Sequence, residues 1–131
     1  MPFWRLYYHL VWATKNREAI IDSTLEHRLY PYLTEEANSL GCRVDAINGF
    51  EDHIHIVISI PPKFANAEIV QRLKGSSSHD FKELSWQSGY GIFSCGEKQR
   101  QFAIKYVKDQ KEHHRQKTTN GWLERCDDED E

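Results

Sequence analysis

Apolar and polar side chains alternate from residue 4 to 14, placing Trp4, Leu6, Tyr8, Leu10 and Trp12 on one face. A period of two with this aromatic content predicts a strand. Residues 15–22 are polar and connecting. The period then lengthens: Leu25, Leu29, Leu33, Ala37 and Leu40 line one side of a helix that Asp22 or Ser23 can cap and Gly41 stops. Pro31 lies inside that helix and predicts a kink, since its ring blocks the preceding turn and it has no N–H. Residues 42–48 read as a second strand, with Asn48-Gly49 as turn chemistry ahead of a third strand at 53–60. Pro61-Pro62 ends the third strand. Asn66 is placed to cap a second helix from Ala67 to about Ser85, with Ile69, Leu73 and Phe81 among its core positions. A short fourth strand spans 89–95, and a third helix runs from about Glu97 to Gln116. From Thr118 the chain reads as loop and tail.

The order β-α-β-β-α-β-α predicts an α+β fold. Its first six elements form a ferredoxin-like βαββαβ unit, an antiparallel sheet with helices on one face. The other face is expected to stay open for a ligand or partner, with an extra C-terminal helix beside it. That fold serves many activities, so function has to come from particular residues.

Composition narrows the class. The 131 residues suit one domain, and 39% apolar content is enough for one core. No apolar run approaches the ~20 residues that span a bilayer; the longest, Ile54 to Ile60, is interrupted by His55 and Ser59. No membrane association is expected. The N-terminus has neither a basic region nor a small-residue cleavage site and reads as structure. Cys42, Cys95 and Cys126 are odd in number and widely spaced, which argues against a disulfide framework. The expected location is the cytoplasm, with reduced thiols.

The net charge of −3 is unevenly spread. Residues 127–131 are all acidic, and without them residues 1–126 carry +2. Between Lys98 and Lys117 stand seven Lys/Arg against only Asp109 and Glu112. Such a stripe suits phosphate, and also suits a solvated helix face. The domain is expected to occupy residues 1–117, with 118–131 a turn and an acidic tail that is disordered.

In the third strand, Ile54, Ile56, Ile58 and Ile60 point one way, and His53, His55, Val57 and Ser59 the other. Two imidazoles on one face can share an ion, or they can be two exposed histidines of a strand. Glu51 and Asp52 are possible acceptors or extra ligands beside them. On the third helix, Phe102, Tyr106, Gln110 and His113 or His114 share one stripe. A phenol of pKa ~10 is a poor nucleophile at neutral pH without a cation or base nearby. A metal polarising a phosphate supplies part of that help. Gln110 offers an oxygen as third ligand, and a mixed N/O set suits Mg²⁺ or Mn²⁺ better than a closed zinc site. Alternatively, Tyr106 is a core aromatic of an amphipathic helix.

His53-Ile54-His55 on a strand, followed by Tyr106-x-x-x-Gln110 on a helix, resembles the HUH single-tyrosine transposases of small insertion sequences. Trp86-Gln87-Ser88-Gly89-Tyr90-Gly91-Ile92-Phe93-Ser94 is similar to that family's segment before its catalytic helix. Leu73-Lys74-Gly75-Ser76-Ser77 is similar to its central helix, and His9-Leu10-Val11-Trp12-Ala13-Thr14-Lys15 to its first strand. These motifs cover residues 5–114 in the family's order. REP-associated tyrosine transposases share the core, but this short chain fits the insertion-sequence kind better.

The resemblance implies that His53 and His55 pair on a divalent metal, Mg²⁺ or Mn²⁺, completed by Gln110. It implies that Tyr106 attacks a phosphate of single-stranded DNA, leaving a 5′-phosphotyrosine and a free 3′-OH that a second 3′-OH can reverse. It implies hairpin recognition near the element ends and a homodimer, in which the tyrosine helix of one subunit often serves the other's histidines. Arg72, Lys74, Lys105 and Lys111 become candidate DNA contacts. The turn Thr118-Thr119-Asn120-Gly121 and the acidic end depart from the family. Competing readings are an RNA-recognition module, prompted by Gly89-Tyr90-Gly91-Ile92-Phe93, a replication-initiator or relaxase-type HUH nuclease, and a structural zinc site using Cys42, Cys95 and the histidines.

Overall fold

The computed structural model describes residues 3–126; the acidic run 127–131, expected to be disordered, lies outside the described residues. A four-stranded antiparallel sheet has the order β2-β3-β1-β4, formed by β1 (Tyr7–Ala13), β2 (Arg43–Phe50), β3 (His53–Ser59) and β4 (Gly91–Cys95). This is the ferredoxin-like arrangement. The central strands β1 and β3 pair with Trp12 opposite Ile54 and Val11 opposite His55.

One sheet face is covered by α1 (Ser23–Ser39) and α2 (Asn66–Asp80). Leu10, Trp12, Ile54, Ile56, Ile58 and Ile60 meet Leu25, Leu29 and Leu33 of α1 and Ile69 and Leu73 of α2 there. The period-two and helical stripes therefore converge on one core, as the hydrophobic pattern requires. Asp22 caps α1 by accepting the Leu25 N–H at 2.8 Å. The helix runs on through Pro31, and Gly41 follows it at φ 83°, a backbone state that glycine adopts without strain.

The boundaries differ from the expected ones at several points. Asn48-Gly49 is not the hairpin turn: both residues lie within β2, and Glu51-Asp52 turns the chain. Gly49 answers to a close approach instead, because a Cβ there would stand 2.2 Å from the His53 carbonyl oxygen. Asn66 does not cap α2; Ala65 holds that position, and the helix stops at Asp80 because Phe81 turns into the core. The single third helix is two, α3 (Glu97–Lys108) and α4 (Gln110–Gln116), meeting at Asp109.

The second sheet face is not open. Ala103 and Val107 of α3 pack on Val57 and Ala46. Residues 118–126 then fold back, bringing Cys126 onto Val11 and Ala13. Gly91 makes room for this return, since a Cβ there would meet the Arg125 carbonyl oxygen at 2.0 Å. No helix among the described residues is long and apolar enough to cross a membrane.

Candidate metal and nucleophile site

The second face of the sheet carries a buried polar cluster. His9, His53, His55 and Gln110 are each at most 2% exposed. Buried polar groups persist only when paired, so their partners define the site.

His53 opens β3, and its Nδ1 lies 2.8 Å from Asp52 Oδ1, a contact that orients the ring and turns Nε2 inward. That Nε2 stands 3.1 Å from Gln110 Oε1, 3.1 Å from Glu124 Oε1 and 3.1 Å from His114 Nε2. Across the face, His55 Nε2 lies 3.0 Å from the same Glu124 Oε1, and His55 Nδ1 lies 2.7 Å from His9 Nε2. One N–H cannot satisfy three neighbours at once. Converging nitrogen and oxygen lone pairs need a cation or a shared proton between them. Donors each about 2.1 Å from an octahedral ion sit about 3 Å from one another, so these spacings fit an ion. His53, His55 and Glu124 form the candidate metal-binding group among the described residues, and it contains no cysteine. The structural zinc reading loses its cysteine ligands accordingly: Cys42 and Cys95 are free thiols outside that group.

Tyr106 is 5% exposed and comes to this cluster from α3 of the same chain. Its hydroxyl donates to Glu124 Oε2 at 2.5 Å and accepts the Asn120 N–H at 2.7 Å. Gln110 Nε2 donates to Glu124 Oε2 at 3.0 Å. The two histidines that the helical stripe left as alternatives both lie on α4, after the break at Asp109, and take different neighbours. His113 stacks on Tyr106, with ring centroids 4.6 Å apart, while His114 stacks on Phe50 at 4.8 Å and reaches Gln110 Oε1 at 2.9 Å.

The electrostatics follow from burial and carboxylates. Burial opposes a charge on His53, but hydrogen bonds to Asp52 and Glu124 outweigh it and hold the imidazole up at about 9. Burial would raise Glu124, yet hydrogen bonds from His53 and His55 keep its carboxyl well below the usual carboxylate range. His55 is pushed down by burial. His9 is pushed down to about 3 by burial and then by its His55 neighbour, so it is neutral. Burial, followed by the hydrogen bond to anionic Glu124, pushes the Tyr106 phenol up to about 12.

The candidate DNA contacts divide. Lys74 is half-buried and donates to the Gln87 and Gly89 carbonyls, both at 2.8 Å. Lys111 bonds Asn48 Oδ1 at 2.6 Å and pairs with Glu26 at 2.8 Å. Both hold the fold together. Arg72 is exposed on α2, across the sheet from the cluster. Lys105 is exposed on α3 and pairs with Asp109 at 2.9 Å. His114, one of the two stripe alternatives, joins the cluster, and Glu124 and His9 complete it although the sequence did not single those two out as site residues. His9 shares a strand face with Val11, but only the β1–β3 register brings it to His55. Glu124 lies in a stretch that reads as tail.

Comparison with known proteins places the chain in a family. A family model described as "Transposase IS200 like" matches residues 2–110. The ISDra2 transposase TnpA of Deinococcus radiodurans is 28% identical over 119 residues, covering 82% of this chain and 85% of that protein. The fold is shared with a crystal structure from Deinococcus radiodurans R1 provisionally assigned as a transposase (TM-score 0.67, 24% identity, 83% of this chain and 93% of that one). It is shared as well with a REP-associated tyrosine transposase bound to a REP hairpin (TM-score 0.66, 14% identity, 93% of this chain and 76% of that one).

Proposed function

Since this chain belongs to the IS200-like transposases, we propose that it cleaves and rejoins single-stranded DNA through a 5′-phosphotyrosine on Tyr106. One observation carries the reading: a buried tyrosine hydroxyl and two buried imidazoles share the carboxylate of Glu124. His53, His55 and Glu124 would hold a divalent metal, Mg²⁺ or Mn²⁺, with Gln110 Oε1 at its edge beside His53. When bound, such an ion neutralises phosphate charge and makes the phosphorus more electrophilic.

The chain's own groups account for the rest. The phenolic oxygen of Tyr106 forms the new P–O bond as the P–O3′ bond breaks, and the leaving 3′ oxygen ends as a hydroxyl. The phenolic proton faces Glu124 Oε2, an anionic oxygen placed to receive it. Gln110 Nε2 fixes that oxygen from the other side. Asp52 holds the His53 ring, and neutral His9 holds that of His55. In the reverse step an incoming 3′-OH attacks the phosphotyrosine and the phenol regains its proton, so no external energy source is required.

We extend the reading to hairpin-ended single strands, a homodimer and a cytoplasmic setting. The REP-hairpin complex of the structural relative supports the hairpin. An RNA-recognition module would leave the His53–His55–Glu124–Tyr106 cluster without a task, and an initiator nuclease would not be named by the family match. The test is incubation of the chain with labelled single strands from either side of its coding sequence, with Mn²⁺ or with chelator. Expected is a metal-dependent cut with one strand end attached to protein; absence of any adduct under every metal contradicts the reading.

A further inference from the structure

A groove of about 450 Å³ runs beside the nucleophile, lined by Phe93, Phe102, Trp122, Gln99, Asn120 and His9 among others. That volume lies within the ~300–1,000 Å³ typical of small-ligand sites. Two of its walls are large aromatic rings turned to solvent: Phe102 is 62% exposed and Trp122 is 64% exposed. Burying such rings is ordinarily favourable, so two facing one groove ask for an occupant. Phe102 lies one helical turn before Tyr106, and the two rings are near-parallel with centroids 6.5 Å apart. Phe93 joins Trp122 at 6.3 Å.

The polar groups have a direction too. His9 is 1% exposed, and its Nδ1 has no hydrogen-bond partner among the described residues. It lines the groove while its other nitrogen holds His55. Gln99 and Asn120 add amide groups that can bond a base edge. Outside the groove, Lys98 and Lys105 are exposed on α3, four residues before and three after Phe102, on the same side of the helix. Cations flanking an aromatic platform are the arrangement that binds a single strand, with phosphates along the charges and a base on the ring.

We propose that this groove seats one nucleobase of the single strand, the base flanking the phosphate presented to Tyr106, stacked between Phe102 and Trp122. The inference rests on Tyr106 being the nucleophile, which sets where the phosphate lies. It makes the groove a positioning site: the bound base sets the strand's register against the hydroxyl.

The test uses the full chain carrying Tyr106→Phe, so that binding is read without cleavage. The probes are an oligothymidylate and a fully abasic strand of equal length. Phe102→Ala and Trp122→Ala should each weaken oligothymidylate binding between about five- and a hundred-fold, the span of one lost base–aromatic stack. Neither should change binding of the abasic strand, and Phe102→Trp should restore the affinity. Tryptophan emission should be quenched by oligothymidylate, and Trp122→Phe should remove that quench while keeping most of the affinity. Light scattering on the same samples separates a second copy from DNA as the occupant. Equal losses on both strands, no loss, or losses that track a change from dimer to monomer overturn the base site. Adduct formation by the unmodified chain is scored separately. An adduct with an indifferent groove sinks only this inference; a responsive groove without an adduct sinks the nucleophile assignment and leaves a single-strand binding groove.

Discussion

Tyr106 and Glu124, 18 residues apart in sequence, share a 2.5 Å hydrogen bond from phenol to Oε2 while the other carboxylate oxygen stands 3.0 Å from His55 Nε2. One side chain thus links the hydroxyl to the histidine pair. It belongs to neither the strand nor the helix that carries them.

Removing a donor should cost metal. His53→Ala and His55→Ala should each lower Mn²⁺ affinity at least tenfold, as loss of a ligand does, with hairpin binding less affected. Glu124→Ala should fall in the same class. Gln110→Ala should cost less, because Gln110 Oε1 approaches His53 but has no contact with His55. Titration calorimetry with Mn²⁺ gives the order; Gln110→Ala weaker than Glu124→Ala would return the third position to glutamine.

Metal uptake should release a proton. A folded-state value raised to about 9 means that metal-free His53 keeps its proton from about 6.5, its unfolded value, up to about 9. The ion must displace it, so apparent Mn²⁺ affinity should climb with pH across that window and level off above it. Calorimetry in buffers of different ionisation enthalpy reports the proton count. An affinity independent of pH between 7 and 9 would contradict the assignment.

The same shift has a sign for stability. Protonated His53 stabilises the metal-free fold fully below about 6.5, and the contribution is lost as pH rises through about 9. His9 and His55, with lowered values, act oppositely: they favour the fold once the unfolded chain has lost its protons above about 6.5, and penalise it below. Melting temperature in chelator should therefore peak near neutrality and fall towards pH 9. A steady rise from pH 7 to 9 is the contrary result.

Gly91→Ala tests the return segment without touching a site residue. Its Cβ would collide with the Arg125 carbonyl oxygen, at 2.0 Å, and with Val11 Cγ1, at 2.8 Å. The segment has to shift, and Glu124 shifts with it. Mn²⁺ affinity should drop toward that of Glu124→Ala, and amides of 118–126 should exchange faster. Unchanged affinity would mean that Glu124 is not needed for the metal.

Legibility in the sequence followed the range of the physics. Alternation in Leu10–Trp12 and Ile54–Ile60, and the stripe Leu25-Leu29-Leu33, fixed the core because burial reads out a local period. His53, His55 and Tyr106 were visible for the same reason: face and stripe are local properties. Asn48-Gly49 misled because glycine serves both turns and close approaches, and only the packed β3 backbone at Gly49 separates the two. The break at Asp109 carries no proline or glycine to announce it. His9 depends on the β1–β3 register, and Glu124 on a chain return seated by Gly91, both set by tertiary contact.

Peptide mapping of the protein–DNA adduct shows whether Tyr106 supplies the oxygen of the covalent link. With Mn²⁺ and a hairpin-bearing single strand from the element end, one nucleotide-modified peptide is expected, containing Tyr106, and none in Tyr106→Phe. Modification at another residue, or an adduct that survives Tyr106→Phe, would contradict it.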